Sequence, residues 1–441
     1  MTIALLTDGF YPFTLGGIQK HSYYLAKYWA RQGVNVHIFH PNQADDVSLQ
    51  AHFTADELQR LQFHFVKHPS SPSFPGHYVY NSYCYSKALY KAVSDKSYDG
   101  IYAQGFTGWY ILKQHPQHPR VVTNLHGLEM YQKAINRKNK LEHHLLRIAA
   151  KPIIKHSNKQ ISLGGKLTPL LYQQGAKAGS VFEVPNAISP EWLQEIKPDR
   201  FAFQNINKPV RFQNTIRRFI FIGRYERRKG IEEINTVAQQ LTAEGSAFEL
   251  HFIGPIPENK RLDLGDNEKD IGHRAKGIGH RTKGIGDRAK RNTTTLNPKP
   301  HNLNPKPYKT NPSDLSAYRP NYLHYHGTIT SQQTIQTLLH ESDVLLCPSY
   351  SEGMPTVILE AMACGCALIA TDVGASGELV DKNNGWLISG DIVSGLKNAM
   401  MEAMSVDDSE LQQMKENAYN RVKEKYTWDV VARRTLELLG W

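Results

Sequence analysis

Between Asp343 and Gly365 the chain reads Asp-Val-Leu-Leu-Cys, then Pro-Ser-Tyr-Ser-Glu-Gly-Met-Pro, then Thr-Val-Ile-Leu-Glu-Ala-Met-Ala-Cys-Gly. A short apolar run bounded by turn residues and followed by a helix-forming run predicts a buried strand, a turn at its carboxyl end and a helix. Pro355 suits the first helical position, where an N–H would have no intrahelical acceptor. Glu352 falls in the turn and Glu360 about one and a half turns further along, both able to accept hydrogen bonds from hydroxyls. Backbone N–H groups at the helix start, around Gly353 and Met354, can hold phosphate oxygens. The spacing suits a ligand with both groups, such as a sugar nucleotide, more than a catalytic acid/base pair. An ordinary strand-helix unit with a solvent-facing glutamate is the plain alternative.

A length of 441 residues, 40% of them hydrophobic, is enough for two cores of ordinary size and too much for one. The opening Met-Thr-Ile-Ala-Leu-Leu-Thr-Asp reads as a strand, with no basic leader or cleavage pattern. No apolar run approaches the roughly 18 to 20 residues that span a bilayer. The expected location is cytoplasmic, with a peripheral position at the inner face of the cell membrane as the variant. Cys84, Cys347, Cys364 and Cys366 form no paired Cys-x-x-Cys cluster, and three of them sit in apolar surroundings expected to hold reduced, packed thiols.

The net charge of +11 is local: 13 Lys or Arg against 5 Asp or Glu between Lys260 and Pro312 contribute +8 of it. That stretch repeats Glu-Lys-Asp-Ile-Gly-His-Arg, Ala-Lys-Gly-Ile-Gly-His-Arg and Thr-Lys-Gly-Ile-Gly-Asp-Arg, then Leu-Asn-Pro-Lys-Pro twice. One Ile per unit flanked by Gly cannot build a coiled coil. The Gly277-Ile-Gly279 phosphate-loop look-alike has no preceding strand and recurs with the repeat. We expect a basic, solvated, disordered insertion at 260–316. Nonspecific contact with anionic lipid or nucleic acid is the lesser reading, and a nucleic-acid partner is not expected.

Elsewhere apolar strands alternate with amphipathic helices. Strands are expected at Ile3–Thr7, Val34–Phe39, Gly100–Ala103, Arg120–Asn124, Gln160–Ser162 and Val181–Val184, then at Arg218–Ile222, Phe248–Gly254 and Tyr322–His326. The helix from about Ile18 to Arg31 carries the apolar stripe Tyr24, Leu25, Tyr28, Trp29. This order implies an α/β protein with two parallel sheets facing a cleft. The expected division is 1–186, a linker at 187–214 containing Asn205, Asn207 and Pro209, a second domain at 215–425 interrupted by the insertion, and a terminal helix at 426–441 packing back on the first domain.

In such folds ligands sit beyond the carboxyl ends of the strands. Gly16-Gly17 follows the first strand, where a missing side chain lets backbone N–H groups approach an anion; a bare turn explains it equally. Asp8 in the same loop caps, braces or touches ligand. Arg224 follows Gly223 at a strand end, and Lys229 precedes Gly230 and a helix expected from Ile231. A guanidinium fork and an ammonium at that separation reach different oxygens of one diphosphate. Arg227 and Arg228 read as solvated charges. His126 follows the Val121–Asn124 strand, either as a structural hydrogen-bonding group or facing the cleft, with Glu129 as a residue that would orient it or contact ligand.

Glu352 to Gly365 matches Glu-Gly-x-Pro-x-x-x-x-Glu-Ala-x-Ala-x-Gly, and in this the chain resembles the retaining GT-B glycosyltransferases of family 4. Gly16-Gly17, His126-Gly127, Gly223-Arg224 with Lys229-Gly230, and a late aromatic helix near Trp428 occur in the family's order. The resemblance implies a GT-B fold of two Rossmann-like domains, the first for acceptor and the second for a nucleotide sugar. It implies catalytic roles for His126, Arg224, Lys229 and Glu352, and donor contacts from Gly17, Arg224, Lys229, Glu352, Gly353, Met354, Pro355 and Glu360. Glu352 would hold sugar hydroxyls, Glu360 the ribose hydroxyls, and His126 a sugar hydroxyl. Departures from the family pattern are Pro185-Asn-Ala-Ile-Ser where Pro-Asn-Gly with a following Asp is common, Met354 for Phe or Leu, and Cys366 for Pro.

The implied reaction moves a hexosyl group, with retention, from a UDP- or GDP-linked sugar to a hydroxyl of a polysaccharide, oligosaccharide or glycolipid. There is no Asp-x-Asp sequence, so no cofactor or metal is expected beyond the donor. A sugar-nucleotide epimerase, a glycogen/starch-synthase-like glucosyltransferase and a noncatalytic carbohydrate- or polyanion-binding protein stay open. Basic residues from Lys133 to Lys159 around an amphipathic Leu141–Ile154 segment would serve a lipid-linked acceptor at an anionic surface, or pack against their own domain. Oligomeric state is open.

Overall fold

A computed structural model describes residues 1–43, 45–193, 216–262, 264 and 322–441. The linker around Asn205–Pro209 and nearly all of the repeat stretch lie outside these residues.

Among the described residues, thirteen strands form two all-parallel sheets. The first holds β1 (Thr2–Leu6), β2 (Asn35–His40), β3 (Leu61–Phe65), β4 (Gly100–Gln104), β5 (Val121–Asn124), β6 (Lys159–Ser162) and β7 (Val181–Glu183) in the order β3-β2-β1-β4-β5-β6-β7. The second holds β8 (Arg217–Ile222), β9 (Phe248–Ile253), β10 (Tyr322–Tyr325), β11 (Val344–Cys347), β12 (Ala367–Thr371) and β13 (Gly385–Ile388) in the order β10-β9-β8-β11-β12-β13. Both are doubly wound, and the direction of winding reverses between β1 and β4 and between β8 and β11. Both sheets belong to one structural unit. The expected fold class is therefore the observed one.

Helices cover both faces, so the central strands are apolar on both sides: β4, β11 and β12 are buried throughout. Expected strands match the observed ones to within a residue or two at their ends, and the helix expected from Ile18 starts at Gly17 and ends at Arg31. Its Leu25, Tyr28 and Trp29 are buried, whereas Tyr24 is half-buried and stacks on Trp428, with centroids 5.6 Å apart. Trp29 Nε1 donates to the Ala432 carbonyl at 3.3 Å, so the Trp428–Leu439 helix lies on the Gly17–Arg31 helix. The chain crosses between the sheets side by side with itself: Ile188 N donates to Tyr426 O at 2.8 Å, and Trp428 N to Ile188 O at 3.1 Å.

One local expectation is corrected. Pro355 caps the Thr356–Ala363 helix from outside, in an extended conformation, instead of occupying its first turn. A residue at that point still needs no N–H, so the sequence signal marks the boundary but places it one residue early. The thiols of Cys347, Cys364 and Cys366 are buried and unbridged. Burial pushes Cys347 and Cys366 up to about 12, which keeps them as packed thiols.

Candidate functional site

The winding reversals place four loops at carboxyl strand ends. Gly16-Gly17 follows β1, Gln104 ends β4 beside it, Arg224 to Gly230 follows β8, and Pro348 to Pro355 follows β11 beside β8. Gly17, Arg224, Lys229 and Glu352 to Pro355 lie at these ends, whereas His126 follows β5 and Glu360 lies on the helix after β11.

In the second half, Lys229 Nζ lies 2.6 Å from Glu352 Oε1, joining the two loops. Gly230 permits that approach: at φ +76° it sits so close to β11 that a Cβ would lie 2.1 Å from the Pro348 carbonyl oxygen. Arg224 is largely exposed and pairs with Glu226 Oε1 at 2.9 Å. Arg228 bonds Glu226 Oε2 at 2.8 Å and stands 3.8 Å from Glu352 Oε2. Alternating charges therefore run from Arg224 through Glu226 and Arg228 to Glu352 and Lys229.

Arg227 and Arg228 correct the reading of both as solvated charges. Arg227 is clamped to Glu233 at 2.6 Å and lies over the Tyr350 ring, 4.7 Å from its centroid, while Tyr350 OH donates to Glu233 at 2.7 Å. Adjacent basic residues look alike in a sequence. Which acidic partner each meets is set in space: Arg224 and Arg228 share Glu226, and Arg227 takes Glu232 and Glu233 in the first turn of the Ile231–Ala243 helix that follows it.

Glu360 lies on the helix that Pro355 caps. Among the described residues no hydrogen bond or ion pair engages its carboxylate, and burial raises its pKa, with Lys20 opposing. A partly buried carboxylate without protein donors is suited to accept hydroxyls from a ligand.

In the first half, Gly17 is exposed, and a Cβ there would meet nothing within 4 Å. Packing does not require the glycine, and open space faces the helix start. At Gly16 a Cβ would fall 2.1 Å from Gln19 Oε1. Gln19 donates to Asp8 Oδ1 at 2.9 Å, so Asp8 braces the loop, its pKa raised by burial.

His126 has φ +60°, a left-handed conformation that is uncommon away from glycine and often found where a side chain is aimed at a ligand. Its N–H bonds Asn124 Oδ1 at 2.8 Å and its Nε2 bonds Gln104 Oε1. Gln104 Nε2 in turn donates to His21 Nδ1 at 3.0 Å. An amide oxygen only accepts, so His126 carries its proton on Nε2 and presents Nδ1 as an acceptor. Burial pushes His126 down to about 3, and burial followed by the proximity of His126 lowers His21 well below the ordinary imidazole range. Glu129, expected to orient His126, is exposed on the short turn Glu129–Tyr131. Gln104 performs that contact. A polar residue closing the apolar strand Gly-Ile-Tyr-Ala-Gln was the available signal, and it was missed.

The first half grips the Glu352 loop directly. Gln132 Nε2 donates to Glu352 O at 2.8 Å, and Gln132 Oε1 accepts from Glu352 N at 3.3 Å. A Cβ built on Gly353 would lie 3.2 Å from Gly127 Cα, so two glycines meet where the halves come closest. Asn186 Nδ2 donates to Met354 O at 2.8 Å, which gives this asparagine a bracing contact despite the altered residues after it. A cavity of about 610 Å³ lies beside this loop, lined by Gln132, Lys166, Tyr350 and Asp372 among others and by none of the predicted site residues.

Two doubly wound parallel sheets with polar loops at their switch points are the two Rossmann-like halves of a GT-B fold. The sequence profile described as Glycosyltransferase Family 4 matches residues 15–192, and that described as Glycosyl transferases group 1 matches residues 306–406. The chain belongs to the GT-B glycosyltransferases of this superfamily. It is 30% identical over 115 residues to a probable sucrose-phosphate synthase of Thermosipho melanesiensis, an alignment spanning 25% of this chain and 26% of that protein. The chain thus spans about a quarter of that relative's length. The sucrose-phosphate synthase structure from Thermosynechococcus elongatus superposes with a TM-score of 0.67 at 17% identity, covering 99% of this chain and 98% of the other. The Anabaena protein HepE in complex with UDP and glucose does so with a TM-score of 0.59 at 15% identity, covering 100% and 99%. At these identities the two structures establish the fold. Arg224 and Lys229 fall between the two profile matches.

Proposed function

We propose that this chain transfers a hexosyl group from a nucleoside-diphosphate sugar to a glycan or glycolipid hydroxyl, with retention of anomeric configuration. The observation that carries the reading is the Lys229–Glu352 pair at the carboxyl ends of β8 and β11, with Glu360, whose carboxylate has no partner among the described residues, on the helix that follows β11. As the glycosidic bond breaks, negative charge grows on the diphosphate; Arg224 and Lys229 meet it, with backbone N–H groups near Gly17 and at Gly353, Met354 and the helix start beyond Pro355. Donor binding draws Lys229 from Glu352 to a phosphate oxygen, and Glu352 is then free to accept sugar hydroxyls. Glu360 accepts from the ribose. His126 Nδ1 accepts a hydroxyl of the transferred sugar, its neutral ring held by Gln104.

Residues 1–186 serve the acceptor and 215–425 the donor in this reading, with 426–441 tying the second domain back to the first. A leaving phosphate that deprotonates the acceptor on the same face accounts for retention. UDP-linked donors are the first to test, because a protein of this fold holds UDP and glucose. Among the described residues no helix is long and apolar enough to cross a membrane. The Arg137–His156 helix buries Ala149, Ala150, Ile153 and Ile154 and exposes Leu141 and Ile148. Those exposed residues with the neighbouring lysines are the proposed contact with an anionic membrane carrying a lipid-linked acceptor.

The deciding experiment is a nucleotide-sugar hydrolysis screen with folded protein, followed by an acceptor screen and NMR of the first-formed product. Turnover of a UDP- or GDP-sugar to a product of unchanged anomeric configuration is expected. Failure of every nucleotide sugar to bind or turn over overturns the activity, and an inverted product overturns the stereochemistry.

A further inference from the structure

The second sheet carries a set of metal-type ligands that the proposed donor cleft does not use. Glu249 and His251 stand two apart on β9 and so share one face, and His324 on β10 is the register partner of His251. The other face of β9 is committed to the core through Phe248, Leu250 and Phe252. Glu249 Oε1 lies 3.3 Å from His251 Nε2 and 3.0 Å from His324 Nε2, and one ligand atom from each residue falls within 4.8 Å of the others. With metal–ligand bonds of about 2.0 to 2.1 Å, the edge of a tetrahedron is about 3.3 Å. Two of the three edges therefore already stand near tetrahedral spacing, and the third, between the two imidazoles, lies within 4.8 Å.

The surroundings complete the arrangement. Glu249 Oε2 accepts from Arg218 Nε at 2.6 Å, and Arg218 is the register partner of Glu249 on β8, so Oε1 is the oxygen turned to the histidines. His251 Nδ1 lies 3.0 Å from His326 Nε2, which supplies the outer partner that a metal-bound imidazole ordinarily has on its second nitrogen. With the proton on Nδ1, the His251 Nε2 lone pair faces a carboxylate oxygen. That nitrogen is buried and, among the described residues, has no hydrogen-bond partner. Two acceptors at 3.3 Å repel unless a cation or proton lies between them.

We propose that Glu249, His251 and His324 form a binding site for a divalent transition-metal ion of the Zn²⁺ class, with a fourth position for water. Two imidazoles and one carboxylate suit this class better than Mg²⁺ or Ca²⁺, which favour oxygen ligands. The site's consequence is structural. β10 is a four-residue strand at the edge of its sheet, and the chain leaves β9 at Ile253 and returns only at Tyr322. Closing so long a connection costs ordering entropy, and a metal clip between β9 and β10 offsets it. His251 lies two residues before Ile253, roughly 7 Å from the carboxyl end of β9, and the ion sits on the β9–β10 edge pair, apart from the β8 and β11 ends of the proposed donor cleft.

The test uses the full-length chain freed of metal by chelator and titrated with Zn²⁺ alone, by calorimetry and by thermal melting. His273, His280 and His301 of the repeats are further imidazoles in the same chain, so stoichiometry is compared with that of a His251→Ala/His324→Ala double variant. The wild type is expected to bind one equivalent more than the double variant and to gain a Zn²⁺-dependent rise in melting temperature that the variant lacks. Glu249→Gln is expected to weaken that equivalent by more than the roughly 10 to 100-fold that loss of an outer partner produces. His324→Cys keeps a ligand at the position and, loaded with Co²⁺, is expected to show a near-ultraviolet thiolate-to-cobalt band. Equal stoichiometry and equal melting shifts in wild type and double variant overturn the site. If the double variant does not fold, absence of the thiolate band in folded His324→Cys overturns it.

Discussion

Lys229 and Glu352 stand 123 residues apart in the chain and 2.6 Å apart in space, the ammonium of one loop closing on the carboxylate of another. Both groups are mostly buried, with 20% and 9% of their side chains exposed. The pair holds a positive charge where the proposed diphosphate arrives, and keeps it matched until then.

Lys229→Ala and Arg224→Ala are each expected to lower kcat by about 10² to 10³-fold, by analogy with other preorganised charge stabilisers. The Lys229 variant also leaves Glu352 without its closest partner, so its effect on donor KM is expected to exceed that of Arg224→Ala. Lys283→Ala in the repeats is the control, with near-normal rates. Steady-state kinetics with circular dichroism check the pattern, and near-normal transfer by a folded Arg224/Lys229 double variant sinks the diphosphate assignment.

Gly230→Ala is expected to destabilise the fold and misplace Lys229 together. The positive φ alone costs about 1 to 3 kcal/mol, and the Pro348 carbonyl lies where the methyl would go. Denaturant unfolding reads the first effect and donor KM the second. A variant as stable and as active as the wild type contradicts the packing described.

Glu360→Gln is expected to weaken donor binding while raising stability at neutral pH. A folded pKa above the unfolded value means the native state binds more protons as pH rises past about 4.3, so stability falls through that range until Glu360 ionises. The amide does not ionise. Donor-free thermal melts are expected to separate the two proteins at pH 7 and to bring them together below pH 4.

His126 and His21 make the opposite contribution. Both are held neutral by the fold, whereas an unfolded imidazole takes up its proton near about 6.5. The unfolded state then binds more protons, and stability is lost as pH falls from there towards the folded value of about 3 for His126. His126→Gln is expected to flatten acid unfolding between pH 6 and pH 4, measured by urea titration at each pH. An unchanged slope shows that His126 is not the group responsible.

Gln132→Ala removes both side-chain bonds to the Glu352 backbone. Its expected cost is about 1 to 3 kcal/mol for the partners left unmet, with a rise in donor KM from a loosened loop. Fluorescence-monitored unfolding and kinetics read the two effects separately.

The two-sheet architecture was legible because parallel strands covered on both faces are apolar runs, and Ile3–Leu6, Phe219–Ile222 and Val344–Cys347 are such runs. Glu352, Arg224 and Lys229 were legible as strand-end polar groups, and Glu360 as a carboxylate on the helix that follows, in a recognisable spacing. The order of strands was not, since β1 lies beside β4 and β8 beside β11 only through crossovers that no local pattern records. Gln104 and Gln132 escaped notice for a related reason. A glutamine carries no charge or special backbone preference, and its importance appears only when His126 or Glu352 is brought to it across 22 or 220 residues.

What the sequence determined by itself is the alternation of strand and helix, the turn and helix that carry Glu352 and Glu360, and the glycines at Gly127, Gly230 and Gly353. These follow from periodicity, turn chemistry and composition, which act over a few residues. What tertiary structure alone decided is which arginine of Arg224, Arg227 and Arg228 stays exposed, which nitrogen of His126 keeps its proton, and the meeting of Glu249, His251 and His324 on one face. The physical reason is common to all three. Charge pairing, tautomer choice and metal-type clustering depend on distances of a few ångströms between distant segments, and sheet register sets those distances.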